Sequence, residues 1–87
     1  MKLFEILSRL EGEEQFAKFF EDLCTMQEVE KMEQRIECAQ LLLGGETYNS
    51  IIEETDISSA TLSRVSRCIK YGSGGYSELL KNMLDKQ

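Results

Sequence analysis

The chain is predicted to be all-α on three observations. Apolar residues recur at intervals of three and four in each long segment, and no alternating β-branched run competes with them. Proline is absent, while Leu, Glu, Met and Ile are abundant. The glycines gather at Gly12, at Gly44-Gly45 and between Gly72 and Gly75, where they separate the periodic stretches.

Taken in order, Leu3, Ile6, Leu7 and Leu10 define a first helix that ends near Gly12. Phe16, Phe19, Phe20 and Leu23 form a second apolar stripe, with Glu13 and Glu14 at the helix end whose partial positive charge favours carboxylates. An aromatic stripe is a liability in water, and two helices this short bury both stripes poorly, so a second subunit is expected to cover them. Thr25-Met26-Gln27-Glu28 has the form of a capping box, in which hydroxyl and carboxylate each satisfy the other's backbone N–H. It opens a long helix to about Leu43, with Val29, Met32, Ile36, Ala39 and Leu43 on one seam and Leu41 and Leu42 beside it. Gly44-Gly45 stops that helix. Arg35 lies on it among acids, the usual setting of a surface ion pair.

The next stretch, YNSIIEETDISSATLSRVSRCIK, reads as two short helices joined by a tight turn, a helix-turn-helix at about 48–70. The first, about Tyr48 to Glu54, turns Ile51 and Ile52 inward. The second, about Ser58 to Lys70, turns Leu62, Val65 and Ile69 inward, with Ile57 closing the corner. Ser58 is a credible N-cap, and Asp56 stands where such turns often carry glycine, a position that calls for a left-handed backbone. Ser59, Ser63, Ser66, Arg67 and Lys70 remain on the outer face, small at the leading end and basic at the trailing end. Short side chains let a helix approach base edges in the major groove, and cations then meet phosphates. On this reading Ser58, Ser59, Ala60 and Ser63 approach bases, and Thr47, Asn49, Arg67 and Lys70 hold phosphates. Tyr71-Gly72-Ser73-Gly74-Gly75-Tyr76 follows as a tight loop whose two tyrosines fold over the Cys68 side of the second helix, and a last helix runs from Tyr76 to about Leu84 with Leu79, Leu80, Met83 and Leu84.

Composition bounds the remaining possibilities. Eighty-seven residues make a single domain spanning 1–87, and a chain this short buries roughly 60–65% of its unfolded surface, so sharing a core with a second copy would stabilise it. No apolar run approaches the length of a membrane span, and the start, Met1-Lys2-Leu3-Phe4-Glu5, lacks a secretory pattern, so a cytoplasmic location is expected. Cys24, Cys38 and Cys68 are odd in number and widely spaced, as expected of reduced, semi-buried residues. With no histidine and no clustered thiols, neither a metal site, nor a cofactor, nor acid–base catalysis is indicated; no enzyme is expected. The glycine loop follows no strand and precedes no Lys-Thr, so it is not a phosphate cradle. The net charge of −6 would oppose DNA, but it is unevenly spread: residues 1–56 carry fourteen acids and five bases, while residues 57–77 carry Arg64, Arg67 and Lys70 and no acid.

From Leu23 to about Leu84, through the long helix, Gly-Glu-Thr-Tyr and Ala-Thr-Leu-Ser-Arg, the sequence resembles the Trp repressor family. Arg67-Cys68-Ile69-Lys70-Tyr71-Gly72-Ser73-Gly74-Gly75-Tyr76 is similar above all to its YerC/YecD subgroup. The resemblance covers roughly two thirds of the chain. It implies a Trp repressor-like, intertwined all-helical homodimer in which each subunit offers its helix-turn-helix to one operator half-site of double-stranded DNA, with repression as the usual outcome. It adds Ser50 to the DNA-facing positions beside Ser59, Ala60 and Ser63. The arginines that sandwich the corepressor ring in that family correspond to Arg35 and Arg64, which therefore mark a possible effector cleft. A glycine that leaves room for the ligand corresponds to Val65, and a serine near its amino group corresponds to Cys68. A branched side chain in that slot fills the space an indole needs, so no tryptophan binding is expected, and any other effector is unknown. The expected function is a dimeric, sequence-specific transcriptional regulator. The rival is an acidic protein-interaction dimer that keeps the motif only as architecture.

Overall fold

The computed structural model describes residues 1–86. It contains α1 (Leu3–Arg9), α2 (Gly12–Leu23), α3 (Met26–Leu43), α4 (Tyr48–Glu54), α5 (Ser59–Tyr71), a π-helix (Gly75–Leu80) and α6 (Lys81–Asp85), with no strand among the described residues. The all-helical class is therefore as the periodicity predicts. Two compact units are distinguished, residues 1–31 and the chain from Met32 onward.

In the first unit local chemistry sets the helix ends. Gly12 opens α2 with φ +79°, a conformation glycine adopts at little cost, and the Gln15 side-chain carbonyl accepts the Glu11 N–H at 2.7 Å. The capping box forms as expected: Thr25 N–H donates to Glu28 Oε1 at 2.9 Å and Glu28 N–H donates to Thr25 Oγ1 at 3.1 Å. The Thr25 backbone N–H, and after it the Thr25 hydroxyl, hold the Glu28 carboxyl below its ordinary range. Phe19 and Phe20 meet edge to face with ring centroids 6.3 Å apart. Even so, α1 and α2 bury none of their residues, and Phe4 remains 79% exposed.

The second unit holds the core. Cys38 and Ala39 from α3, Ile51 from α4, Ile57 from the turn, and Leu62 and Val65 from α5 are buried together, with Leu41, Leu42, Ile69, Tyr76 and Leu80 packed against them. Gly45, at φ +98°, ends α3 in a Schellman motif: its N–H donates to Leu42 O at 3.2 Å and Glu46 N–H to Leu41 O at 3.0 Å.

Four local expectations are corrected here. Ile52 does not turn inward; it is 38% exposed, because α4 packs along one side and successive residues lie about 100° apart. Asp56 does not take a left-handed backbone, since every positive φ belongs to a glycine. Thr55 turns the corner instead, donating its hydroxyl to Ile51 O at 2.6 Å and accepting the Ile57 N–H at 3.2 Å. Of the two loop tyrosines only Tyr76 packs inward, whereas Tyr71, the last residue of α5, is 83% exposed. The final segment begins as a π-helix at Gly75 and becomes α-helical only at Lys81. Gly74, at φ +98°, accepts both the Glu78 N–H at 2.9 Å and the Leu79 N–H at 3.2 Å, and this second, five-residue bond widens the turn.

Candidate nucleic-acid interface

The candidate surface is built by α4, the turn at residues 55–58, and α5. Thr47 caps α4, its hydroxyl accepting the Ser50 N–H at 3.1 Å. Ser58 caps α5, accepting the Thr61 N–H at 3.2 Å while also bonding Thr61 Oγ1 at 3.1 Å. Ile51, Ile57, Leu62 and Val65 are buried beneath the helix pair. An apolar floor of this kind fixes the angle between two helices too short to be stable alone.

The outer face of α5 is formed by Ser59, Ala60, Ser63, Arg64, Arg67 and Lys70, all exposed, while Ser66 is half-buried. Positions 59, 63, 67 and 70 follow helical spacing and share one side. Among the described residues, the single ion pair is Lys81 to Asp85, at 3.5 Å. Arg64, Arg67 and Lys70 therefore have no carboxylate partner among the described residues. Thr47 and Asn49 stand exposed at the start of α4.

Other expected residues are less available. Ser58 spends its hydroxyl oxygen on the cap, and Ser50 is half-buried and donates to Glu46 Oε2 at 2.8 Å. Arg35 is half-buried on α3 and makes no ion pair among the described residues, which corrects the expectation of one. An apolar groove of about 580 Å³ is lined by Ile36, Cys68, Tyr76, Leu79, Leu80 and Met83, among others. A smaller one lies beside Glu37, Glu54 and Asp56. Neither is lined by Arg35 or Arg64.

Tyr48, the first residue of α4, is prominent in the structure although its sequence gives no hint of it. Its hydroxyl lies 2.9 Å from Ser63 Oγ and 3.4 Å from Ser59 O, and so ties α4 to the exposed side of α5. Nothing at the sequence level pairs residues fifteen apart on different helices. The cysteines are free, with Cys38 buried and Cys24 and Cys68 half-buried. Burial, and then the nearby Glu37 charge, push the Cys38 thiol up. No group of residues able to hold a metal ion is found among the described residues, and no described helix is long and apolar enough to cross a membrane.

Comparison with known proteins extends the likeness beyond the Leu23–Leu84 stretch. The family described as Trp repressor protein matches residues 1–84. YerC of Bacillus subtilis (strain 168), an uncharacterized protein, is 40% identical over 86 residues, covering 99% of this chain and 83% of YerC. The crystal structure of a candidate Trp repressor from Staphylococcus aureus superposes with a TM-score of 0.83 at 38% identity, over 92% of this chain and 80% of that one. A family match across nearly the whole length, joined to a shared fold at this identity, shows that the chain belongs to the Trp repressor family.

Proposed function

We propose that this protein is a sequence-specific, DNA-binding transcriptional regulator that acts as a homodimer, with α4 and α5 serving as a helix-turn-helix. The observation that carries the reading is the outer face of α5: small side chains at its leading end, cations with no carboxylate partner among the described residues at its trailing end, and no acid between residues 57 and 77. Ser59, Ala60 and Ser63 approach base edges. Arg67 and Lys70 hold phosphates, assisted by Thr47 and Asn49 at the start of α4. Ser50 and Ser58, whose hydroxyls are engaged within the chain, contribute to position more than to base contact.

Pairing is supported by what each unit leaves uncovered. In the first unit Phe4, Phe16 and Leu23 are exposed, and in the second Leu79 and Met83 are; surfaces of this kind are normally covered in solution. The name of the Staphylococcus aureus relative fits repression as the outcome, and repression is the direction proposed here. Tryptophan is not the effector. Val65, a branched side chain that is buried here, stands where the family resemblance places a glycine that makes room for the ligand, which supports this reading. Arg64 is free either to meet DNA or, with Arg35, to line a cleft for another small molecule.

Binding-site selection from a random duplex pool tests the reading. A two-fold dimer should recover pseudo-palindromic sites with half-sites about 34 Å apart, or a multiple of that. Recovery of unpaired, non-palindromic sequences, or of none above background, would refute it. The acidic-interaction alternative draws on the same exposed apolar residues and the −6 net charge, and it would be favoured by that last outcome.

A further inference from the structure

We infer that Tyr48 determines base specificity by setting the direction of the Ser63 hydroxyl proton. The inference rests on the DNA-reading role of α5. The Tyr48 oxygen is 2.9 Å from Ser63 Oγ and 3.4 Å from Ser59 O, and it carries one proton. The shorter contact is the stronger bond, and the Ser59 carbonyl is already the acceptor of the Ser63 N–H in helix α5. A phenol is a far stronger acid than an aliphatic alcohol, so it is the better donor and the poorer acceptor of the two. Tyr48 therefore donates and Ser63 accepts.

The consequence lies in what Ser63 still offers. An unassisted serine hydroxyl rotates freely and bonds donors or acceptors alike, which makes it a poor discriminator of bases. With one lone pair engaged by Tyr48, Ser63 keeps one lone pair and its proton for DNA, and the bond disfavours the rotamer that would turn that proton back toward Tyr48. Ser63 is exposed, so that proton is available to an acceptor on a major-groove edge: O6 or N7 of guanine, N7 of adenine, or O4 of thymine. Cytosine, which presents only its amino donor there, can use only the one remaining lone pair of Ser63 and leaves the Ser63 proton unpartnered, so it is the least favoured base. Tyr48 sits on the neighbouring helix and acts through Ser63, which makes it a positioning residue for readout, and Tyr48 is 41% exposed.

The experiment measures affinity for the selected operator and for single-base variants of each half-site, using the full-length protein, Tyr48→Phe, Ser63→Ala and the double variant. Thermal melting of each confirms that the fold is kept. The wild type is expected to reject cytosine at one position per half-site by about fivefold to tenfold, the size of one good polar contact. Tyr48→Phe should abolish most of that preference while leaving the salt dependence unchanged, and it should add nothing in the Ser63→Ala background. Full retention of the preference by Tyr48→Phe would overturn the inference. So would an equal loss on all sequences that persists when Ser63 is alanine, which would make Tyr48 a direct phosphate contact. If the wild type shows no preference among any sequences, the DNA-reading role itself fails, and that result is seen before either variant is compared.

Discussion

Replacing Arg67 and Lys70 together with alanine isolates the electrostatic part of DNA binding. Both side chains are exposed and neither pairs with a carboxylate among the described residues, so their removal should change folding stability by no more than about 0.5 kcal/mol. Each phosphate neutralised contributes about 0.9 to the slope of log affinity against log salt. Two cations in each of two subunits are four phosphates, and the slope should flatten by about 3.6. Between 50 and 200 mM salt, the wild type should then lose roughly 150-fold more affinity than the variant. The loss at low salt should be the same for operator and unrelated DNA, since phosphates carry no sequence. Fluorescence anisotropy titrations at four salt concentrations measure the slope directly. An unchanged slope would refute the phosphate role of this face, and a loss confined to the operator would move both residues from phosphates to bases.

Three further outcomes follow from the packing. Leu62 is fully buried at the centre of the second unit, so Leu62→Ala should cost about 3 kcal/mol, measured by urea unfolding; a cost under about 1 kcal/mol would mean that the core lies elsewhere. The raised Cys38 thiol pKa stabilises the fold fully at pH below the ordinary thiol value, and this contribution is lost as pH rises through the higher folded-state value. Cys38→Ala should therefore flatten the alkaline limb of the stability profile, and in the native protein Cys38 should react with iodoacetamide more slowly than Cys24 or Cys68. Phe16→Asp, on the exposed stripe of α2, should shift the proteins toward monomer in sedimentation while leaving the helical signal of the second unit; an unchanged dimer would place the interface on other residues.

The elements that could be read along the chain are those whose causes are local. The Thr25–Glu28 capping box, the Gly44-Gly45 stop, the Ser58 cap and the burial of Leu62 and Val65 each depend on residues within one or two helical turns, and each appears where the spacing places it. The basic face of α5 was equally legible, since charge spacing on one helix is a property of that helix. The errors fall where a neighbouring element decides. Ile51 and Ile52 are chemically alike, and only the side on which α5 lies makes one buried and the other exposed. Thr55 rather than Asp56 makes the turn because its hydroxyl reaches both Ile51 O and the Ile57 N–H.

The amino-acid sequence alone determined the helical class, the helix boundaries to within a residue or two except that α1 ends at Arg9 rather than near Gly12, and the concentration of positive charge on α5, because propensity, capping and periodicity act over a few residues. Tertiary structure decided which isoleucine is buried, which tyrosine joins the core, how the last segment opens as a π-helix, and the meeting of Tyr48 with Ser63. Those features arise from groups far apart in the chain, whose proximity exists only once the apolar surfaces of α3, α4 and α5 have been withdrawn from water.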